Sequence, residues 1–174
     1  PVLLTNSTYA IYWLPAGDTA HTFSSGYQTL INRFLGDVQT DNGKTSNTYW
    51  STTQYTDKLG KAIQSSSTYV ASTVDTNAYP ASGCTDTVSA TDICLSQAQL
   101  SAEIASVISA KGWPTGGNAI YFLFTPKGVG SCSGTSCAFS HYCAFHSWTG
   151  SGTSQFLWAN QPYTMTVPSA CSAG

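Results

Sequence analysis

The sequence predicts an α/β or α+β fold, a three-layer sandwich in which at least two helices flank a mixed sheet. Apolar residues recur at three- and four-residue steps over 23–38 and again over 100–108, as on the buried side of amphipathic helices. Short β-prone runs precede, separate and follow these two segments. One of them, residues 119–124, is a continuous apolar run and predicts a strand that is buried on both faces at the centre of the sheet.

The composition indicates one domain with a well-filled core and few charges. Apolar residues make up 41% of the 174-residue chain and aromatic residues 13%, whereas only 8% are charged, against about 25% in an average soluble domain. A formal net charge of -2 gives no positive surface for nucleic acid or for an anionic membrane. All apolar runs are much shorter than the roughly 20 residues that span a bilayer.

The first half of the chain predicts a strand, a helix and two further strands. Residues 9–14 are β-prone, and the helical segment over 23–38 follows after a Pro-Ala-Gly turn. Local pattern and β-propensity predict strands at 49–55 and 67–75. Residues 79–92, which carry a proline, a glycine and a cysteine, predict a loop.

The second helix has the clearest boundaries in the sequence. Ser96, with Gln99 three residues later, forms the capping-box pattern at its start. Lys111–Gly112 and then Pro114 supply a positive charge, a left-handed cap and a stop at its end. This helix leads into the central strand, which begins at Ala119.

Fewer elements are predicted after the central strand. Residues 130–137 are rich in Gly, Ser and Cys and predict a loop, and residues 155–160 alternate as a strand before Pro162. The tail from Thr164 to Gly174 has no periodicity.

The six cysteines predict disulfide bonds and therefore an oxidising compartment. Local spacing favours Cys84–Cys94 and Cys132–Cys137, which leaves Cys143 for Cys171, one of the fifteen pairings that six cysteines allow. Zinc ligation is the competing interpretation, but no two cysteines have the C-x-x-C spacing. Pro1–Leu4 lacks the features of a signal peptide, so we expect mature, secreted, extracellular material.

The carboxylates form no recognisable acid/base pair in the sequence. There is one glutamate, Glu103, and most of the seven aspartates lie in predicted turns, where Asp bonds to nearby backbone. A glycosidase needs two carboxylates about 5–10 Å apart, and the sequence leaves that alternative open. Gly130–Gly134 contains serines between glycines, but no helix follows it, so it does not match a nucleophile elbow.

The histidines and aromatic residues each have two interpretations. His141 and His146 flank Cys143 five residues apart, a spacing that does not bring both rings to one face of a helix or strand. In a disulfide-held loop they would either hydrogen-bond locally, which we favour, or converge on a metal. His21, ahead of the first helix, is expected at the surface. Core packing explains most of the five tryptophans and ten tyrosines, and a sugar-binding face is the alternative.

Four segments of the chain carry a family resemblance: YAIYWLPAG at 9–17, TPKGVGSC at 125–132, YCAFHS at 142–147 and ANQPY at 159–163. They resemble a family of secreted bacterial proteins that is distantly similar to the plant EXORDIUM, or phosphate-induced protein 1, group of cell-wall proteins. The resemblance spans nearly the whole chain. These segments mark the family and are not catalytic signatures.

The resemblance implies a zincin-like fold. In the bacterial relatives, a following segment carries a helix that begins Ser-His-Glu, with Thr-Asp-Pro downstream. That helix is similar to the H-E-x-x-H helix of zinc peptidases, on which two ligands and a glutamate base share one face. In such folds an edge strand binds extended substrate by strand addition. Residues 155–160 would be that strand, with Phe156, Trp158 and Asn160 facing the substrate and His146 lining the cleft.

The function expected on this basis is conditional on a second segment. Residues 1–174 contain no His-Glu pair, so no catalytic residue carries over and no cofactor is expected within them. We expect a single domain that is the N-terminal part of a longer precursor, with zinc and the catalytic base supplied by a C-terminal chain of that precursor. The reaction would be zinc-dependent peptide hydrolysis. The alternative is a non-enzymatic extracellular protein that binds cell-wall polysaccharide, or has a structural role, through its aromatic, uncharged surface.

Overall fold

The structure is a computed structural model that describes residues 2–88 and 90–171. The strands are β1 (Asn6–Trp13), β2 (Ser67–Asp75), β3 (Ile93–Ser96), β4 (Ala119–Thr125), β5 (Val129–Ser133), β6 (Ser136–Cys137), β7 (Phe145–Thr149) and β8 (Phe156–Pro162). The helices are α1 (Tyr27–Thr40), α2 (Gln97–Lys111) and the single turn α3 (Pro168–Cys171). Short 3-10 turns lie at Trp50–Gln54, Gly152–Ser154 and Thr164–Thr166.

The strands form two sheets. The main sheet has the order β2-β1-β4-β8-β7, and all neighbours are parallel except the antiparallel pair of β8 and β7 at one edge. The second sheet has the order β3-β5-β6. The predicted central position of the apolar run is confirmed, because β4 is the middle strand of five. The mixed α/β class is confirmed as well.

Helices α1 and α2 pack on opposite faces of the main sheet. Neighbouring residues of β1 point to opposite faces: Tyr12 belongs to a core cluster with Leu35 of α1, whereas Ile11 belongs to one with Ile104 of α2. The second sheet lies on the α2 face, where Val129 of β5 joins the same core. The α2 face is therefore covered by a helix and a small sheet, and the α1 face by one helix and part of the segment that follows it.

The predicted boundaries of α2 are confirmed in detail. The Ser96 hydroxyl accepts a hydrogen bond from the backbone N–H of Gln99, and the Gln99 side chain accepts one from the backbone N–H of Ser96. Gly112 adopts the left-handed conformation at the other end, with φ of 62°. Capping residues act within a few positions of a helix end, so the ends of α2 can be predicted from the sequence without tertiary information.

Residues 49–55 contain a 3-10 turn and not the predicted strand. The hydroxyls of Thr52 and Thr53 donate to carbonyl groups three residues back, at 2.7 and 2.8 Å. The backbone N–H of Tyr49 donates to the Asn47 side chain at 2.9 Å. Such local bonds offer the backbone an alternative to a strand ladder, and this outweighs the β-propensity of the segment.

The predictions after β4 need two corrections. The predicted loop at 130–137 is a hairpin of β5 and β6, in which Cys132 lies opposite Cys137. The strand at 155–160 is present as β8, but its predicted edge position is wrong, because β8 pairs with β4 on one side and with β7 on the other. The unpredicted strand β7 is the edge. Its five residues follow a cysteine-rich stretch, and that composition hides the strand pattern.

The three predicted disulfide pairings are confirmed: Cys84–Cys94, Cys132–Cys137 and Cys143–Cys171. The first two hold the second sheet and the loop before it together. The third ties the start of β7 to α3. Within the described residues, no helix is long and apolar enough to cross a membrane.

Candidate functional site

The three residues of β8 that were predicted to face substrate are buried. Phe156, Trp158 and Asn160 are 4%, 1% and 0% exposed. The Asn160 side-chain oxygen accepts a hydrogen bond of 2.6 Å from the Ser131 hydroxyl, and the Trp158 indole donates to the Thr149 hydroxyl at 3.0 Å. These side chains fasten β8 to its neighbours. Their substrate-facing role stays a prediction that their placement does not favour.

The three histidines do not come together. The His141 ring accepts from the backbone N–H of Cys137 at 3.2 Å, in agreement with local bonding in the loop. His146 is exposed on β7 and lies opposite Ala159. The prediction that His21 lies at the surface is wrong, because its side chain is only 12% exposed and contacts Asp18.

His146 lies on an open part of the sheet surface and not in a pocket of catalytic residues. Helix α1 and the segment that follows it cover β1, β2 and part of β4, since Phe122 and Phe124 pack in the α1 core and Ile120 lines a depression with Ile63. Farther along the same face, His146 and Trp148 of β7 are exposed. Two rows of side chains cross this area: Ile120, Leu157 and Trp148, then Phe122, Ala159 and His146. We call these six residues the floor of the open groove. Trp148 is 65% exposed.

Helix α1 supplies one wall of the open groove. Asn32 and Gln39 hydrogen-bond to Ser72 and to the backbone of Tyr69, so that flank of α1 faces β2. At 100° per residue, Leu30 and Phe34 lie on the opposite flank of α1, the one turned away from β2. Their exposed fractions are 63% and 44%. The groove is therefore apolar on its floor and along its α1 wall.

The outer edge of β7 is the second feature of this surface. Among the described residues, β7 pairs only with β8, so one side of its backbone keeps unpaired N–H and carbonyl groups. Such an edge can accept an extended peptide as an additional strand. The exposed side chains along it, His146 and Trp148, also belong to the groove.

A carboxyl pair that the sequence did not reveal lies at the carboxyl end of β2. Asp75 is 7% exposed and lies near Glu103 of α2, and its Oδ2 atom has no hydrogen-bond partner among the described residues. Burial, and then the Glu103 carboxylate, raise the pKa of Asp75 from its ordinary 3.8 to about 7. Asn77 fixes both groups, because its backbone N–H donates to Asp75 at 3.2 Å and its side chain donates to Glu103 at 2.6 Å. Through these two bonds, Asn77 joins the end of β2 to α2.

A second charged cluster follows β1. His21 Nδ1 is 2.7 Å from Asp18 Oδ2, and His21 Nε2 is 3.6 Å from Asp92 Oδ2. Although burial acts to raise it, hydrogen bonds from His21 and from the backbone of Ala20 hold the pKa of Asp18 below its ordinary value. Gly128 packs so closely that an added Cβ would lie 2.9 Å from the His21 ring. The cluster is tightly packed and connects three loops.

The described residues do not fit a zinc site. The one group of potential ligands that converges among them is Cys84, Cys94 and Cys132, whose sulfur atoms lie within 4.8 Å of one another. All three sulfurs are already in disulfide bonds, and a metal needs deprotonated thiolates. The comparisons with known proteins add no assignment, since no family model, curated protein or solved structure matches the chain.

Proposed function

We propose that this chain is the N-terminal part of a secreted zincin-like protein, and that a helix from a C-terminal segment of the same precursor lies in the open groove. The observation that carries the proposal is the half-covered sheet. One face is covered across its width, whereas the other has α1 and the segment after it at one side and the exposed side chains of β7 at the other. An unburied apolar face of this kind is typical of a missing packing partner.

The dimensions of the groove support one helix as the occupant. Neighbouring strands lie about 4.8 Å apart, so β4 to β7 spans roughly 10 Å. An α-helix with its side chains is about 10–12 Å across, and packed helices lie 8–10 Å apart. A single helix beside α1 would contact Leu30 and Phe34 with one side and Leu157 with its base.

The edge strand supports peptide as the substrate. β7 is antiparallel to the other strands and borders the groove directly. A peptide that paired with its outer edge would lie beside the proposed helix, with His146 and Trp148 between them. Because the described residues offer no zinc site, the metal and the base belong to the proposed helix. This chain would supply the edge strand that binds the substrate and the open groove that holds that helix.

The test uses the secreted native material and the full precursor. Intact-mass analysis shows whether a longer or second chain accompanies residues 1–174, and elemental analysis measures zinc. Hydrolysis of quenched fluorescent peptides is then followed with and without a zinc chelator. We expect one zinc per complex and chelator-sensitive cleavage. A native product that ends at Gly174, has no companion chain and holds no zinc would sink the peptidase assignment.

Two matched substitutions in the precursor test the groove itself. Trp148→Asp places a charge on the groove floor, whereas Val70→Asp places one on β2, at a residue that is 49% exposed and lies at the far edge of the sheet. We expect Trp148→Asp to lower zinc content and activity together and Val70→Asp to leave both unchanged. Equal effects of the two substitutions would contradict the proposed binding of a helix in the open groove.

Polysaccharide binding is the second candidate, and a specific observation favours it. Tyr49, Trp50 and Tyr55 are 45%, 36% and 59% exposed within one seven-residue stretch. Exposed aromatic rings on a surface with few charges suit stacking on neutral sugars. Saturable binding of insoluble cell-wall polysaccharide by the isolated chain, reduced by Tyr55→Ala and not by Trp148→Ala, would support this candidate over the peptidase.

A further inference from the structure

Two of the disulfide bonds lie in contact with each other. Cys84–Cys94 and Cys132–Cys137 belong to the second sheet and to the loop before it. The sulfur atoms of Cys94 and Cys132, which are not bonded to each other, are 3.4 Å apart. Those of Cys84, Cys94 and Cys132 all lie within 4.8 Å of one another, and that of Cys137 is bonded to Cys132. Four sulfur atoms therefore gather at one place in the fold.

The spacing of these sulfur atoms is close to that of a zinc–thiolate site. Four thiolates at about 2.3 Å from a tetrahedral zinc ion lie about 3.8 Å from one another, and the 3.4 Å between Cys94 and Cys132 is near this value. Cys132 and Cys137 also have the C-x4-C spacing that occurs in zinc sites. After reduction, each bonded pair of sulfur atoms has to separate by less than about 2 Å. Side-chain rotation supplies movements of that size.

The backbone holds the four cysteines together independently of the disulfide bonds. β3 pairs with β5, and β5 pairs with β6, where Cys132 lies directly opposite Cys137. The backbone N–H of Cys84 donates to the Cys94 carbonyl at 3.1 Å. Leu95, the residue after Cys94, belongs to the main hydrophobic core. Reduction breaks two S–S bonds and leaves these contacts in place, so the four thiols are already positioned and little ordering is needed to bind a metal.

The burial of the cluster suits a metal that is shielded from water on one side. Cys132 and Cys137 are only 3% and 8% exposed. Cys84 and Cys94 are half-buried, so a reductant reaches the cluster from their side. The third disulfide, Cys143–Cys171, ties the start of β7 to α3 instead. One chain thus carries two clustered disulfides and one that serves as an internal control.

We propose that reduction of the two clustered disulfides by a dithiol creates a site for one zinc-type divalent metal ion, with Cys84, Cys94, Cys132 and Cys137 as its thiolate ligands. Each dithiol passes two electrons and two protons to one disulfide and itself becomes a disulfide. The four protein thiols then release their protons to solvent as they bind the metal. Oxidation re-forms both disulfides and releases the metal. This site is separate from the zinc of the proposed peptidase, which would be held by the C-terminal segment in the oxidised protein.

The test adds Co²⁺, and then Zn²⁺, to the chain of residues 1–174. The chain is first reduced with a phosphine without oxygen, and the phosphine is removed. We expect one cobalt ion per chain, with a thiolate-to-cobalt charge-transfer band and the strong visible bands of tetrahedral cobalt, and we expect zinc to displace it. The oxidised chain should show neither band. N-ethylmaleimide should then label Cys143 and Cys171 of the zinc-loaded chain and spare the four ligands, as mapped by mass spectrometry.

Two matched double substitutions separate the cluster from the third disulfide. Cys143→Ser with Cys171→Ser leaves the cluster intact, and under reducing conditions the bond that it removes is already open. Cys132→Ser with Cys137→Ser removes half of the ligands. We expect the first variant to bind zinc as the original chain does and the second to bind it roughly a hundredfold more weakly. Zinc should raise the melting temperature of the first variant in its reduced form and not that of the second.

Three outcomes would overturn the proposal. The first is a reduced chain that gives no tetrahedral cobalt spectrum. The second is maleimide labelling that spares all six cysteines equally or none of them, since either pattern means that the cluster holds no metal of its own. This mapping uses the unmodified chain, so it decides the question even where a variant fails to fold. The third is equal zinc affinity of the two double variants.

Discussion

Replacing Asp75 with asparagine should change how the stability of this protein depends on pH. The Asp75 carboxyl is buried against Glu103, and these surroundings raise its pKa from 3.8 to about 7. The folded protein therefore holds a proton at pH 5–6 that the unfolded chain has already released. An asparagine keeps the shape, keeps the oxygen that accepts from the Asn77 backbone, and offers an N–H to Glu103 at every pH.

The sign and the size of the effect follow from the direction of the pKa change. A pKa that is raised in the folded state contributes stability that is fully present below pH 3.8 and is lost as the pH rises to about 7. At about 1.4 kcal/mol per pKa unit, the largest loss is about 4 kcal/mol. Glu103 is partly exposed and water screens the pair, so we expect about 1–3 kcal/mol. Above pH 7, Asp75→Asn should be more stable than the original chain by that amount.

The assay is guanidinium unfolding of both proteins at pH 4, 5.5, 7 and 8.5. The difference between their free energies of unfolding cancels the contributions of the groups that both proteins share. Asp37→Asn is the control, because Asp37 is exposed on α1 and meets only Arg33 at 3.4 Å. Parallel curves for the original chain and Asp75→Asn between pH 4 and 7 would refute the raised pKa of Asp75.

Three further predictions concern packing, a buried hydrogen bond and a disulfide. Gly128→Ala should cost more than Gly17→Ala in thermal melts, by about 1 kcal/mol or more, since both positions bear the strain of a positive φ but only the Cβ at 128 meets the His21 ring. Ser131→Ala should cost about 1–3 kcal/mol in denaturant unfolding, because it leaves the buried Asn160 oxygen unpaired, and adding Asn160→Leu should recover part of that loss. Replacing both cysteines of Cys143–Cys171 with serine should cost about 3–4 kcal/mol for the 28-residue separation, and a loss below 1 kcal/mol would mean that the unfolded chain is already constrained there.

The sequence predicted the elements whose signals are local. The capping box at Ser96, the glycine stop at Gly112 and the apolar run of β4 each act within a few residues, so no tertiary information is needed to read them. The disulfide pairing could be predicted from the sequence for the same reason. Two pairs are near neighbours in the chain, and they leave one combination for the third.

The elements that were missed depend on distant partners. β5 is a run of Gly, Ser and Cys that becomes a strand because β3 pairs beside it and the loop before β3 covers it. Gly130 shows this dependence, since an added Cβ would meet Thr91 at 2.7 Å. β7 is stabilised through its pairing with β8 and has little pattern of its own. The order of strands, and hence which one is the edge, is a property of the whole sheet.

The candidate sites were missed for a related reason. Asp75 and Glu103 are 28 positions apart in the sequence, on a strand and on a helix, and only the packing of α2 against the end of β2 brings them together. The open groove is not carried by any one segment. It exists because α1 and the segment after it cover only one side of a five-stranded sheet, which no local pattern records.

The polarity of the sheet bears on where this protein binds ligands. In open parallel sheets, ligands usually bind beyond the carboxyl ends of the strands, where the strand order reverses, here between β1 and β4. Part of that place is filled by the chain itself, since His21 packs on Gly128 and the Gly128 backbone N–H donates to Thr166 at 3.2 Å. Beside it, a depression of about 370 Å³ lined by Leu14, Asp18 and Tyr27 stays open. A second depression, of about 270 Å³, lies at the opposite, amino ends, beside Thr8 of β1 and Ile120 of β4. Because both ends of the strands keep open space, a small-molecule ligand that binds where such sheets usually do should shift the amides of Leu14 and Tyr27 and leave those of Thr8 and Ile120 unchanged.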